Sequence, residues 1–453
     1  MASKVFIGAG AGFACDRTDA AGPVADTLAS LPGARFLIFE TLAERTLAQS
    51  QLDRRRDAAR GYNPALERFV GPVLARCLRD GIKIIGNFGA ANPSAAAARI
   101  QAMAHAQGLR APRIGVVDGD DLTALLSPAE LAARETGGAV LCNATEIIAA
   151  NLYLGAEPIA QALDQGADIV VTGRVADSAL ALGPLIHAFG WKLDDWGRLA
   201  AGTLAGHLLE CGSQITGGYF ADPPFKTVSG MADLGYPIAE IDPDGGMVIT
   251  KPAATGGRVD RFTVIEQLLY EIHDPSAYLA PDVVLDITDV TVEEVAPDRV
   301  RVTGARGKPA PKATVCVDGG VLGEAEISYA GPNAAARARL AAQTIGERMN
   351  RRAPGLVFRV DAVGVVSVLG DAGGALARPW ACDPGDVRLR FAAQSKIAAE
   401  VELLLDEVEA LYCAGPAGGA GVRKRLTPRL ASASCLIERK YALPRVTLTG
   451  GSP

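Results

Sequence analysis

The stretch GHLLECGSQITGGYF, residues 206–220, puts His207, Glu210 and Cys211 three and four positions apart. On a helix that spacing gathers them on one face. A carboxylate there suits general acid or base work, a thiol beside an imidazole suits nucleophilic attack, and the set is also a partial metal site. The plainer reading is helix packing, with a satisfied core histidine and an inert buried cysteine. Gly212 interrupts the helical pattern, so Glu210 and Cys211 are expected at a helix end facing a loop, where a carboxylate is available for proton transfer. Thr216, Gly217 and Gly218 then read as a turn whose backbone N–H groups could meet a developing oxyanion. No HExxH spacing occurs and a third metal ligand would have to come from elsewhere, so no metal residue is assigned.

Other candidates lie at loop positions. GNFGAANP carries Asn87 and Asn92, amides that both donate and accept without charge, as a carboxylate or thioester carbonyl would need; asparagine before proline is equally a turn former. VTGRVADSAL carries Arg174, Asp177 and Ser178: an arginine fit to grip a carboxylate or phosphate, a carboxylate to orient it or act as base, and a hydroxyl. The alternative is a capping aspartate with an ordinary ion pair. GAGAG at 8–12 offers Gly10 and Gly12 for close approach to an anion, but Phe13 stands where a dinucleotide fingerprint has its third glycine. Asp16 and Arg17 follow as substrate contacts or as a cap. Glu40 of FETLAERT is divided between a ribose or substrate contact and a helix-start charge. Near the C-terminus, Gly418, Gly419 and Arg423 combine backbone donors with cations, as the phosphates of a CoA handle require, or form a solvated helix end.

The elements that must position these groups are legible in the first 190 residues. KVFIGAGAG, ARFLIFE, IKIIGNFG, RIGVVDG and ADIVVTGR are continuous apolar runs alternating with Ala/Leu-rich helical stretches. That pattern predicts an α/β fold with a parallel sheet covered on both faces. Ligands of such sheets bind beyond the carboxyl ends of the strands, where Gly10, Gly12, Glu40, Asn87 and Arg174 fall. After about residue 225 the strands become isolated and turn-rich, which predicts a parallel α/β domain over 1–225 and an α+β domain over 226–453.

Composition narrows the function classes. The chain has 453 residues, of which 49% are hydrophobic and 21% charged, with a net charge of −6. Acidic and basic residues are interspersed, so neither nucleic acid nor an anionic membrane is an expected partner. No apolar stretch reaches membrane-spanning length, and the opening MASKVFIGAGAGF is too short for a secretory signal, so a cytoplasmic location is expected. Eight scattered cysteines suggest neither a zinc ribbon nor a disulfide framework.

Taken together, GNFGAANP, ADIVVTGRVADSALALGPLIHAFGW and GHLLECGSQITGGYF, with FETLAERT, GYNP near 61 and PAGGAG near the end, resemble the acyclic terpene utilisation (AtuA) family over almost the whole chain. The resemblance implies a place in the degradation of branched terpenoid acids as CoA thioesters. It also implies that this chain lacks the additional C-terminal ferredoxin-like domain of longer members, whose contribution a separate small subunit would supply; a homo-oligomer is expected as well. The residues and the resemblance lead to an enzyme acting on a small or branched carboxylic acid, or its CoA thioester, by lyase- or hydratase-type acid–base chemistry, with Glu210, Asp177, Cys211 and His207 as catalytic candidates. Two rivals stay open: a thioester or amide hydrolase using Cys211 or Ser178, and a non-catalytic acyl-CoA-binding subunit. No cofactor is assigned beyond the CoA moiety of a substrate.

Overall fold

The continuous apolar runs form the middle of one sheet. In the computed structural model, which describes residues 2–136, 141, 147–310, 313–316, 321–368, 370, 385–395, 397–428 and 433–451, they are β1 (Val5–Gly12), β2 (Ala34–Glu40), β3 (Lys83–Gly86), β4 (Ile114–Asp118) and β5 (Ile169–Thr172). These pair in parallel in the order β1-β2-β3-β5-β4. Alternate residues feed two different cores, as the period of two along a strand requires. Val5, Ile7, Phe36, Ile38, Ile85, Val117 and Val170 pack into one; Phe6, Leu37, Phe39, Ile84, Val116, Ile169 and Val171 pack into the other. Burial on both faces is why these strands lack apolar–polar alternation.

Helices α1 (Ala21–Ser30), α2 (Glu44–Arg56), α3 (Leu66–Asp80) and α4 (Pro93–Ala106) fall within the first three crossovers, α2 and α3 sharing the second. Of these, α1, α3 and α4 pack on the second core. The first core takes α5 (Glu157–Asp164), α6 (Ala179–Phe189) and α7 (Trp196–Glu210). β3 and β5 are neighbours, yet the helices that follow them, α4 and α6, go to opposite faces. A crevice opens beyond the carboxyl ends of strands that diverge in this way.

The texture change near residue 225 marks a change of strand direction within the same sheet, and here the expected domain limits differ from the compact units. β6 (Ile238–Ile241), β7 (Met247–Thr250), β8 (Thr291–Ala296) and β9 (Arg299–Thr303) extend the sheet antiparallel from β1, and β10 (Arg445–Thr449) adds to β4 at the far edge. β6, next to β1, is still buried on both faces, whereas β7 and β9 alternate buried and more exposed residues, as antiparallel strands with one face toward solvent do. Helix α8 (Arg261–Leu269) lies between β7 and β8 in the chain. The first compact unit takes its residues from 1–143, 147–317 and 432–453, and the second from 318–431.

The second unit runs strand Val321–Ala330, helix Ala334–Arg352, strands Phe358–Val363 and Asp386–Ser395, helix Ala398–Ala414 and strand Ala420–Pro428. Numbering those four strands one to four, the sheet order is 2-3-1-4 and every pair is antiparallel. That βαββαβ arrangement is ferredoxin-like. No helix among the described residues is long and apolar enough to cross a membrane.

Candidate functional site

Beyond the ends of β1, β2 and β5 lies a cavity of about 320 Å³, lined by Gly12, Glu40, Glu44, Arg174, Asp177 and Glu210 among others. At its wall β1 and the end of α7 approach without side chains between them. A Cβ on Gly12 would lie 2.3 Å from the carbonyl carbon of Cys211 and from the nitrogen of Gly212. Helix α7 ends at Glu210, and Gly212, at φ +54°, turns the chain into the short 3-10 turn Gly212–Thr216. Gly10 and Gly12 therefore lie inside β1 itself, where Gly10 leaves room for the Phe39 ring, and not in a loop that could cradle phosphate.

Glu40 ends β2. Its Oε1 accepts from Leu42 N at 2.8 Å and from Asn87 Nδ2 at 3.0 Å. Asn87 is fully buried, and its Oδ1 accepts from Thr41 N at 2.7 Å, so the amide expected to touch substrate instead fixes Glu40 and the loop after it. Burial first, and then the Asp177 charge, pushes the Glu40 carboxyl up to about 8, against the opposing pull of Asn87 and Leu42.

Arg174 leaves β5 with only 2% of its surface exposed. Its Nη1 donates to Leu42 O at 2.8 Å and to Asp177 Oδ1 at 2.7 Å, its Nη2 lies 3.6 Å from Glu44 Oε1, and its guanidinium stacks 3.9 Å over the Tyr153 ring. Tyr153 in turn donates its hydroxyl to Glu44. Burial pushes Asp177 up to about 6; Arg174 pulls it down, and Glu210 and Glu44 push it up. Behind Glu210, His207 is 1% exposed and its Nδ1 lies 3.0 Å from Glu210 Oε1. The thiol of Cys211 lines the same cavity, but burial and then the Glu210 charge drive it far above its ordinary range, so the thiolate a nucleophile needs is disfavoured.

The other candidates lie elsewhere or are already engaged by local bonds. Asn92 caps α4, accepting from Ala95 N at 3.3 Å and donating to Ala58 O and Arg60 O, with Pro93 at the first helical position. It faces a second cavity of about 300 Å³, bordered by Asp118, Asp120, Asn151 and Arg54, so Asn87, Asn92 and Arg174 do not converge on one pocket. Ser178 is buried at the start of α6 and does not line the main cavity. The proposed oxyanion turn is self-satisfied: Gly217 N donates to Gln214 O, Gly218 N to Ser213 O, and Thr216 Oγ1 to Ser213 O. Asp16 lines the cavity, but its carboxylate accepts from Gly12 N, Arg17 N and the Tyr236 hydroxyl; Arg17 is paired with Asp19. Gly418, Gly419 and Arg423 belong to the ferredoxin-like unit, with Arg423 exposed on its edge strand opposite Glu326.

Glu44, Tyr153, Tyr270 and Glu271 also stand at or beside the site, although residue type and spacing do not single them out. Glu44 carries a faint signal, standing four residues after Glu40 in FETLAERT; the others carry none, since only tertiary folding brings them to the site. Among the described residues no group of three or more His, Cys, Asp or Glu side chains is arranged to hold a metal ion.

A parallel-centred α/β sheet with an acidic cavity beyond its strand ends defines the class. Within it, the model of the acyclic terpene utilisation family protein AtuA matches residues 5–448, and the chain belongs to that family. Comparison with curated proteins and with solved structures gives no match.

Proposed function

We propose that the chain is an acid–base enzyme of lyase or hydratase type, acting on a CoA thioester in preference to the free acid. The observation that carries this reading is the pair Glu40 and Asp177: two carboxyls on one cavity whose surroundings set them near 8 and near 6. At neutral pH one is then mainly acid and the other mainly carboxylate, which assigns the proton donor and the base. In dehydration Asp177 takes the proton alpha to the thioester carbonyl, the carbon–carbon double bond forms as the beta carbon–oxygen bond breaks, and Glu40 gives its proton to the departing hydroxide as water. Hydration is the reverse. Oε1 of Glu40 already accepts two N–H bonds, which leaves Oε2 to carry that proton.

The choice of thioester follows from charge. The lining holds Asp16, Glu40, Glu44, Asp177, Glu210 and Glu271 against the single guanidinium of Arg174. That guanidinium is already engaged by Leu42, Asp177 and Glu44. A free carboxylate would enter a negative field with no cation to meet it, whereas a thioester brings an uncharged head.

Branched 3-hydroxyacyl- and enoyl-CoA thioesters, assayed for interconversion and for deuterium uptake at the alpha carbon, test the reading. The kcat/KM profile should be bell-shaped, rising as the Asp177 end of the coupled pair ionises near 6 and falling as the Glu40 end ionises near 8. Glu40→Gln should lower turnover roughly 100-fold or more and remove the alkaline limb. A variant that keeps full activity and both limbs would sink the assignment.

A further inference from the structure

His207 is held between two acceptors. Nδ1 lies 3.0 Å from Glu210 Oε1, and Nε2 lies 3.3 Å from the backbone oxygen of Leu268. A carbonyl oxygen has no proton to give, so the Nε2 contact is a hydrogen bond only if Nε2 carries one. The Nδ1 contact needs a second proton between the ring and the carboxylate. A neutral imidazole facing an ionised Glu210 has one N–H for two acceptors and would set a lone pair against an oxygen at one end or the other.

We propose that the structure assigns His207 as a buried imidazolium, and that with the Glu210 carboxylate it forms a net-neutral couple stationing Glu210 at the cavity wall. His207 touches no substrate space of its own: it is 1% exposed and does not line the cavity. It is thus a positioning residue acting through Glu210. Its part in turnover rests on the acid–base reading above; its protonation state does not.

The groups around the ring agree with a positive charge. From its own helix comes Glu210; from α8 come the Leu268 carbonyl and Gln267, whose Nε2 donates to the His207 carbonyl at 3.0 Å. The Tyr278 ring is tilted against it at 5.6 Å between centroids. Burial first, and then the Glu210, Asp177 and Glu271 carboxylates, push the Tyr278 hydroxyl well above its ordinary range and keep it protonated. Burial lowers the pKa of His207, but Glu210 and the Leu268 and Gln267 carbonyls outweigh it, and the net direction is upward.

A charged His207 also has a consequence for Asp177, because the Glu210 charge raises the Asp177 pKa. The imidazolium offsets that charge. Without it Glu210 acts on Asp177 uncompensated, and the acid limb of the rate profile moves up.

The test uses the whole chain with isotope-labelled histidine, whose spectrum holds only four residues, His105, His187, His207 and His273. The His207 signal is identified by its loss in His207→Gln. At pH 8, where an unperturbed histidine with a pKa of about 6.5 is neutral, both His207 ring nitrogens should show the protonated nitrogen shift. A neutral-imidazole pattern there overturns the proposal without any substrate. Glu210→Gln leaves the ring in place and removes its counter-charge, so His207 should become neutral at pH 8; an unchanged signal also overturns the couple. This second variant decides the matter if His207→Gln does not fold. In kinetics, His207→Gln should move the acid limb up by about 0.5–1 unit. A nuclear magnetic resonance result as expected with no turnover on any thioester would leave the couple standing and remove the acid–base reading.

Discussion

At the scale of single residues, the site is organised by Arg174. A guanidinium this buried is tolerated because its fork meets a carbonyl and a carboxylate at once and its face meets Tyr153. Arg174→Met would leave Asp177 and the Leu42 carbonyl without their donor. The expected loss is about 3–5 kcal/mol in denaturant unfolding, the range for removing one partner of a buried ion pair. Arg174→Lys should fall between, since an ammonium keeps the charge but not the fork. A loss under about 1 kcal/mol for the methionine variant would mean that the pair behaves like a surface salt bridge.

At the scale of elements, one wall of the cavity depends on how closely β1 and α7 approach, and glycine sets that distance. The Gly12 Cβ of a Gly12→Ala variant would meet backbone atoms of residues 211 and 212 at 2.3 Å, and backbone cannot rotate aside. The variant should lose at least about 1–3 kcal/mol and shift the end of β1. Gly346, inside the helix Ala334–Arg352, has nothing within 4 Å of a Cβ. There Gly346→Ala should raise stability by about 1 kcal/mol, the ordinary helix preference for alanine. Melting curves of the two variants check both signs; a neutral Gly12→Ala would show that the approach is not tight in solution.

At the scale of the whole molecule, the ferredoxin-like unit has its own core, formed by residues between Ala325 and Leu411 such as Ile327, Tyr329, Ile345, Phe391, Leu404 and Val408. A fragment of residues 318–431 is therefore expected to fold alone and to melt cooperatively by circular dichroism. The first unit, by contrast, needs the end of the chain, because β10 closes the sheet on β4 and Cys435 and Ile437 sit in its main core. Removing residues 433–451 should lower its melting temperature and expose apolar surface to a hydrophobic dye. A non-cooperative fragment, or a truncation without effect, would contradict this division.

The local part of this protein was legible in its residues. Continuous apolar runs dictate strands buried on both faces, and the carboxyl ends of those strands located Glu40, Asn87 and Arg174 before any contact was known, because strand period and crossover handedness are local and steric. The close of α7 at Glu210 followed from Gly212 in the same way. Partners separated by long stretches of chain were not legible. Asn87 was expected on substrate and bonds Glu40; the Gly217 and Gly218 N–H groups were expected to be free and are taken by their own turn. Tyr153 and Glu271 carried no sequence signal at all. The alternating strands after residue 225 predict a new domain, yet alternation looks the same in a separate sheet and on the antiparallel flank of an old one, and the fold takes the second course for β6 to β9. Which carboxyl keeps its proton at neutral pH was likewise beyond the sequence: burial pushes both Glu40 and Asp177 up, but Asp177 bonds Arg174 directly and Glu40 does not, and only the folded chain makes that pairing.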